Sequence, residues 1–190
     1  SATVTTGAAW SSGGNLNTAR RYISGCGTQT ATVAFGGFKP GAGNETELYN
    51  GSTWSEVNNL GTAAYSKGAA GTQTAALAFG GSPAVCESWD GTNWTSSPAM
   101  NNGQRSFGSC GIQTAALAFG GRPEPSVSAK TEEWNGTAWS EQNDLNTAVR
   151  NNMGSGTQTA GLNSGGYNDG AGALSAVTEE YNGTSWTASP

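Results

Sequence analysis

One eleven-residue segment recurs four times along this chain, and this repetition constrains the fold more than any other feature. The four copies are GTQTATVAFGG (27–37), GTQTAALAFGG (71–81), GIQTAALAFGG (111–121) and GTQTAGLNSGG (156–166). A second repeated motif has six residues: an aromatic residue, Asn or Asp, Gly, two variable residues and a Trp. Its four copies end at Trp54, Trp94, Trp139 and Trp186. Self-similarity at a period of roughly 40–50 residues predicts equivalent units that pack against one another.

The spacing of the two markers separates the constant part of each unit from the variable part. From Trp10, Trp54, Trp94 and Trp139 to the second Gly of the next Gly pair is always 27 residues. All variation in length falls between that Gly pair and the following aromatic residue. A single domain over 1–190 is therefore expected, with units at about 11–54, 55–94, 95–139 and 140–186. Residues 1–10 are a degenerate copy of the segment that ends each unit at its Trp, which we call the outer hairpin.

Each unit divides into four short strands. A first strand rich in Gly, Ala and Ser precedes a second strand in which Val33 and Phe35, or their equivalents, alternate at period two and predict burial. The third and fourth strands flank an Asn-Gly or Asp-Gly dipeptide, which predicts a two-residue type I′ hairpin. A four-stranded meander with slim inner strands and aromatic outer strands is typical of a propeller blade.

The Gly pair, the later aromatic residue and the Trp that follows resemble the kelch repeat. The motif positions are Gly36, Gly37, Tyr49, Trp54, Gly80, Gly81, Trp89, Trp94, Gly120, Gly121, Trp134, Trp139, Gly165, Gly166, Tyr181 and Trp186. This resemblance implies an all-β fold, a four-bladed kelch-like β-propeller in which each blade is a four-stranded antiparallel meander. The phrases GTQTAALAFGG and NGTxW are also similar to tandem repeats of virion-associated phage proteins, which implies a structural or host-recognition protein on a virion or outside a cell.

The sequence leaves the closure of the ring open. Kelch propellers usually have more than four blades, and this chain has five outer hairpins, the first around Trp10, for four inner strand pairs. One hairpin is redundant, pairs with another chain in self-association, or shows that the segment belongs to a longer array.

Composition disfavours several classes of function. The net charge is −5 and the eight Lys and Arg residues form no run, so neither nucleic acid nor a membrane is an expected partner. Histidine is absent and three cysteines cannot all pair, which argues against a metal site and a disulfide framework. The pairs Glu132-Glu133 and Glu179-Glu180 lie on strands and point to opposite faces, so they form no carboxylate dyad. We expect a protein that is not an enzyme and that binds no cofactor.

Most repeated side chains are expected to be architectural. The Trp residues should pack between blades, because a residue that recurs in every unit is what a repeated core needs. One glutamine per unit should hydrogen-bond the backbone of a neighbouring blade: Gln29, Gln73, Gln113 and Gln158.

Recognition is expected where the repeats differ. The variable loops run from Phe38 to Glu45, Ser82 to Cys86, Arg122 to Lys130 and Tyr167 to Val177, and they should share one face with the connectors between blades. Arginine and aromatic residues are common binding anchors. The candidate binding residues are Phe38, Lys39, Arg122, Tyr167, Arg21, Tyr65, Arg105 and Arg150. The expected partner is a protein or glycan surface, and the alternative is a lectin with one carbohydrate site per blade.

Overall fold

The computed structural model describes residues 12–123 and 125–189, and this part of the chain is built from β-strands and turns. Each repeat forms one antiparallel sheet of four strands, so four such sheets follow one another along the chain. The four-stranded units predicted from the sequence are confirmed. The worn hairpin expected at 1–10 lies outside the described residues.

The strand bounds repeat closely from one sheet to the next. Sheet 1 contains β1 (Ser24–Thr28), β2 (Ala31–Phe35), β5 (Thr46–Tyr49) and β6 (Trp54–Val57). Sheet 2 contains β7 (Gly68–Thr72), β8 (Ala75–Phe79), β9 (Cys86–Trp89) and β10 (Trp94–Ser97). Sheet 3 contains β11 (Gly108–Ile112), β12 (Ala115–Phe119), β13 (Thr131–Trp134) and β14 (Trp139–Gln142). Sheet 4 contains β15 (Met153–Thr157), β16 (Ala160–Ser164), β19 (Thr178–Tyr181) and β20 (Trp186–Ala188).

Two variable loops carry short hairpins of their own. The loop of sheet 1 contains β3 (Phe38–Lys39) and β4 (Gly41–Ala42), and the loop of sheet 4 contains β17 (Tyr167–Asn168) and β18 (Ala173–Leu174). Both hairpins directly follow a Gly pair whose φ angles are positive, between 63° and 113°. Glycine adopts these angles without the clash that a Cβ atom would cause, so the chain turns sharply as it leaves the second strand.

The turn between the third and fourth strands differs from the prediction. A type I′ hairpin would place both Asn and Gly at positive φ, but only the glycines Gly51, Gly91, Gly136 and Gly183 do so, at 88° to 93°. In sheet 1 the Asn50 side chain instead accepts hydrogen bonds from the backbone N–H groups of Ser52 and Thr53. The asparagine therefore caps the turn with its side chain, which removes the need for the left-handed conformation.

Consecutive sheets pack face to face. We call the face that carries Val33 and Phe35, or their equivalents, the front of a sheet, and the opposite face its rear. The front of sheet 1 buries Val33 and Phe35 against Ala76 and Trp89 on the rear of sheet 2. Sheets 2 and 3, and sheets 3 and 4, form two more cores of the same kind. Bulky side chains on one face thus meet alanines and aromatic rings on the next, which fills the space between sheets.

The first strands of successive sheets lie side by side in the order β1, β7, β11 and β15. In the described part of the chain, no comparable contact joins β15 to β1. A cleft of about 320 Å³ is lined by residues from all four of these strands or the positions just before them, among them Ser24, Ala69, Ser109 and Gly154. The sheets are therefore arranged around a shared concave surface.

Candidate functional site

The variable loops and the connectors meet at one end of the sheets, which we call the loop face. In sheets 1, 2 and 4, an isolated β-bridge pairs the connector residue with the first residue after the Gly pair: Arg21 with Phe38, Tyr65 with Ser82, and Arg150 with Tyr167. In sheet 3 the N–H of Arg122 donates to the carbonyl of Arg105 over 2.9 Å. The structure thus brings each predicted connector residue beside the loop of its own sheet.

A backbone ladder fixes the spacing between these four pairs. The residue after each connector residue has a left-handed φ of 54° or 55°: Tyr22, Ser66, Ser106 and Asn151. The N–H of Ser66 donates to the carbonyl of Tyr22 over 3.0 Å, Ser106 donates to Ser66 over 3.2 Å, and Asn151 donates to Ser106 over 2.7 Å. Non-glycine residues seldom adopt this conformation, so these hydrogen bonds and the packing around them hold it.

A partly exposed aromatic cluster spans the loop face of sheets 1 and 2. The Arg21 guanidinium lies 5.1 Å from the ring centre of Tyr22 and 5.1 Å from that of Phe38. The ring of Tyr65 contacts Phe38 edge-on, with the ring centres 5.3 Å apart. Tyr22 is 56% exposed. We call these four residues the aromatic cluster, and such stacked rings and guanidinium groups lose little conformational freedom when they bind a partner.

The sequence-based list of candidates missed Tyr22. It stands where the other units have Ser66, Ser106 and Asn151, so the variability of this position was the available signal. The predicted candidate Lys39 lies next to Phe38 and forms an ion pair with Glu45 in the same loop. The ion pair holds the Lys39 ammonium group against its own loop.

The loop face of sheet 4 has a different composition. Arg150 lies 4.7 Å from the ring centre of Tyr167, and its Nε donates to Asp169 over 2.9 Å. At the base of the β17–β18 hairpin, Leu174 pairs with Tyr167 and is 87% accessible. Sheet 3 carries Arg105 and Arg122 instead, and Arg122 also donates to the carbonyl of Pro125. No two sheets present the same pair of side chains.

All the cationic side chains of the chain lie toward the loop-face end of the sheets, although those of Arg20 and Lys67 are buried. Each one lies either in the stretch before a first strand or in the loop after a second strand: Arg20, Arg21, Lys39, Lys67, Arg105, Arg122, Lys130 and Arg150. The opposite end, built from Thr-Gln-Thr and Asn-Gly turns, has none. The two ends of the sheets therefore differ in their content of cationic side chains and ion pairs.

Four buried glutamates occupy the same position on the third strands and hold the connectors in place: Glu47, Glu87, Glu132 and Glu179. Each accepts two backbone N–H groups of the connector, as Glu132 does from Asn101 and Asn102 over 2.8 Å each. Burial acts to raise the pKa of Glu47, but hydrogen bonds from Arg20 and Asn17 outweigh it and leave the pKa below its ordinary value. The neighbours Glu133 and Glu180 point to the opposite face, as predicted.

One lysine and three cysteine thiols are also largely removed from water. Lys67 donates to the carbonyls of Gly80 and Val85, and its burial lowers its pKa to about 8 despite the nearby Glu87. Burial raises the pKa of the Cys26 and Cys110 thiols to about 12 and that of Cys86 to about 11. All three thiols are unpaired and stay protonated near neutral pH.

Within residues 12–123 and 125–189, no three His, Cys, Asp or Glu side chains are grouped so that they could hold a metal ion. The same residues include no helix of the length and apolar character that a membrane span requires. Comparison with known proteins gives no match, either to a family model or to a curated protein sequence.

Proposed function

We propose that this chain is a non-enzymatic binding protein whose four sheets are blades of a kelch-like β-propeller and whose loop face recognises a protein or glycan surface. The cleft that all four first strands line supports the propeller interpretation, because blades converge on an axis in this way. A position on a virion or outside a cell is part of the proposal and rests on the resemblance of the repeats alone.

The aromatic cluster is the observation that carries this proposal. Arg21, Tyr22, Phe38 and Tyr65 form mutual ring and cation–π contacts on a surface that remains accessible to solvent. Rings with few rotatable bonds and an arginine that stacks on them are the kind of group that dominates binding energy at interfaces. The backbone ladder beneath them keeps the cluster rigid, which reduces the entropy lost on binding.

The differences between sheets favour one continuous ligand surface over four equal sites. A lectin with one sugar site per blade requires similar side chains in each unit. The pairs found here are Arg21–Phe38, Tyr65–Ser82, Arg105–Arg122 and Arg150–Tyr167. Sheets 1 and 4 each pair an arginine with an aromatic ring, whereas sheets 2 and 3 do not, so the four positions share no common set of contacts for equivalent sugar sites.

The non-enzymatic part of the proposal is supported by how the acidic groups are used. The four buried glutamates accept hydrogen bonds from backbone N–H groups of the connectors, and Glu47 also accepts one from Arg20. A buried carboxylate whose oxygens face its own connector lies out of reach of a substrate proton, so it is poorly placed to act as a general base.

A binding screen with matched variants tests the proposal. The full chain is applied to a glycan array and to an array of displayed extracellular protein domains, and hits are then measured with Tyr22→Ala and Ile112→Ala. Both wild-type side chains are 56% exposed, but Ile112 lies at the opposite end of the sheets. We expect Tyr22→Ala to weaken binding about tenfold or more and Ile112→Ala to leave it unchanged.

Three outcomes would contradict the proposal. Binding that Ile112→Ala weakens and Tyr22→Ala does not would move the site to the other end of the sheets. Saturation at four ligands per chain would favour the lectin. Turnover of any ligand would identify an enzyme.

A further inference from the structure

The cationic side chains differ in whether they already have a carboxylate partner. Four of them do: Arg20 pairs with Glu47, Lys39 with Glu45, Lys130 with Glu141 and Asp144, and Arg150 with Asp169. The Arg21 side chain instead contacts the rings of Tyr22 and Phe38. It makes no hydrogen bond or ion pair with any described residue, so no carboxylate of the described chain balances its charge.

The Arg21 guanidinium is well suited to bind a carboxylate from outside the chain. A guanidinium carries five N–H donors in one plane, and two of them match the two oxygens of a carboxylate. The Arg21 side chain is exposed, and none of these donors is bonded within the described residues. The contacts with the two rings also limit the orientations of the guanidinium, which reduces the entropy lost on binding.

Sheet 4 shows how an arginine and a ring at this place hold a carboxylate. Arg150 and Tyr167 form the same backbone bridge as the sheet 1 pair. Arg150 lies 4.7 Å from the ring centre of Tyr167 and donates through Nε to Asp169 over 2.9 Å. Asp169 is the third residue after its Gly pair, whereas the third residue in sheet 1 is Pro40. Sheet 1 therefore has the arginine and the ring of this arrangement without its carboxylate.

A groove beside the sheet 1 pair has room for a ligand. It has a volume of about 480 Å³ and is lined by Arg21, Phe38, Lys39 and Pro40. Ligand sites commonly have volumes of about 300–1,000 Å³. The ring and the proline make much of the wall apolar, and the Lys39 charge is already paired with Glu45. A ligand that complements this groove carries a carboxylate beside an apolar face.

An acidic sugar combines these two properties in one rigid body. A uronic or sialic acid residue carries its carboxylate on a pyranose ring, whose C–H groups can contact the electron-rich face of an aromatic ring. Its hydroxyls also find partners, because the hydroxyls of Tyr22 and Tyr65 make no hydrogen bond within residues 12–123 and 125–189. An acidic side chain of a peptide matches the guanidinium but leaves the apolar wall and these hydroxyls unused.

We propose that the groove beside Arg21 binds a carboxylated sugar residue of a glycan, with the carboxylate on the Arg21 guanidinium and the sugar ring against Phe38 and Pro40. This inference rests on the proposed function and narrows its ligand from a protein or glycan surface to an acidic glycan.

Sheet 4 offers no second site of this kind. A groove of about 440 Å³ adjoins Arg150 and Tyr167, but Asp169 already supplies the carboxylate there. The Arg150 side chain is also only 25% exposed. The chain therefore binds one acidic sugar residue through an arginine and a ring.

Matched glycans test the need for a carboxylate. Trigalacturonic acid and sialyllactose are titrated into the full chain by isothermal titration calorimetry, each beside its methyl ester. The ester keeps the sugar rings and removes the negative charge. We expect at least one of the two acids to bind with one glycan per chain, and its ester to have a dissociation constant about tenfold higher or more.

Replacing the arginine tests whether Arg21 is the partner of that carboxylate. Arg21→Gln should raise the dissociation constant of the acid about tenfold or more and bring it close to that of the ester. The control is Lys130→Gln, which removes the same charge from a side chain that pairs with Asp144. It should preserve the difference between acid and ester.

A substitution at the exposed Pro40 tests the comparison with sheet 4. Pro40→Asp supplies a carboxylate at the position of Asp169 and should weaken binding of the acid about tenfold, because it competes for Arg21. Pro40→Asn differs from that variant only in charge and should weaken binding less. Equal effects of the two substitutions would contradict the comparison with sheet 4.

The results separate this inference from the proposed function. Acids that bind no more tightly than their esters would overturn the inference, as would a preference for the acid that survives Arg21→Gln. A glutamate-rich peptide that binds more tightly than both acids would identify an acidic protein segment as the ligand instead. A ligand whose binding Tyr22→Ala weakens and Arg21→Gln does not would overturn the inference and support the loop face as the recognition surface. Binding that neither variant weakens would overturn both.

Discussion

The contacts between sheets and the loop face follow opposite rules within the same four repeats. At the contacts, the same residue types recur and make the same bonds, as Gln73, Gln113 and Gln158 do. At the loop face, every sheet presents a different pair of side chains on the same backbone bridge. The repeated residues between sheets fix how the sheets pack. Once that packing holds the backbone of the loop face, the side chains there can differ from sheet to sheet.

The largest expected difference between the two regions is in apolar packing. Phe79 is fully buried between sheets 2 and 3, where it contacts the rings of Phe107 and Trp139. We expect Phe79→Ala to lower the free energy of unfolding by about 3–5 kcal/mol. Urea denaturation followed by tryptophan fluorescence measures this. A loss below about 1 kcal/mol would mean that the sheets do not depend on their common cores.

The next prediction compares two neighbouring glutamates. Glu47 is buried under the connector, and Glu45 lies in the variable loop beside the partly exposed Lys39. Replacing Glu47 by Gln should lower the free energy of unfolding by about 1–3 kcal/mol at pH 7, whereas Glu45→Gln should cost less than about 1 kcal/mol. If the two variants lost the same free energy of unfolding, the buried Glu47 would contribute no more to stability than the loop residue Glu45.

The pH dependence of stability gives the same comparison independently. The folded-state pKa of Glu47 lies below its ordinary value, so its stabilisation is complete above the unfolded pKa, near about 4.3. It is lost as the pH falls through the lower, folded-state pKa. Unfolding of the wild type and of Glu47→Gln, measured between neutral pH and pH about 3, should therefore converge at the acid end. If the free energies of unfolding of the two proteins instead differed by the same amount at every pH, the loss of stability in acid would come from other carboxylates.

A smaller effect separates two glutamines of the same repeat position. Gln113 bonds two carbonyls of the preceding sheet, whereas Gln29 is exposed on the rear of sheet 1. Gln113→Ala should lower the free energy of unfolding by about 1–2 kcal/mol, and Gln29→Ala by less than about 0.5 kcal/mol in the monomer. Urea denaturation followed by tryptophan fluorescence measures both. A larger loss for Gln29→Ala would indicate a partner within the chain.

The smallest effect on stability is expected in the aromatic cluster. Tyr22→Ala removes an exposed ring and retains the left-handed backbone, so the free energy of unfolding should change by no more than about 0.5 kcal/mol. The same variant is expected to have the largest effect on binding. A strong loss of stability would show that Tyr22 belongs to the scaffold.

Much of the scaffold was predictable because its signals are local and repeated. The period-two pattern around Val33 and Phe35 located the second strands, and the recurring tryptophans and glutamines indicated contacts between sheets. The hairpin type was predicted wrongly, since the sequence does not reveal that the Asn50 side chain satisfies the turn on its own. The role of the buried glutamates was also missed, because their partners lie about 30 residues away in the connectors.

The sequence alone determined that four equivalent units exist, where their strands lie and which connection varies, because a repeat exposes these features through spacing. Only the tertiary structure decided which distant residues meet. It gathered eight cations scattered from Arg20 to Arg150 at one end of the sheets, and it placed Tyr65 beside both Tyr22 and Phe38. Such contacts depend on how whole sheets stack, and no local pattern encodes that geometry.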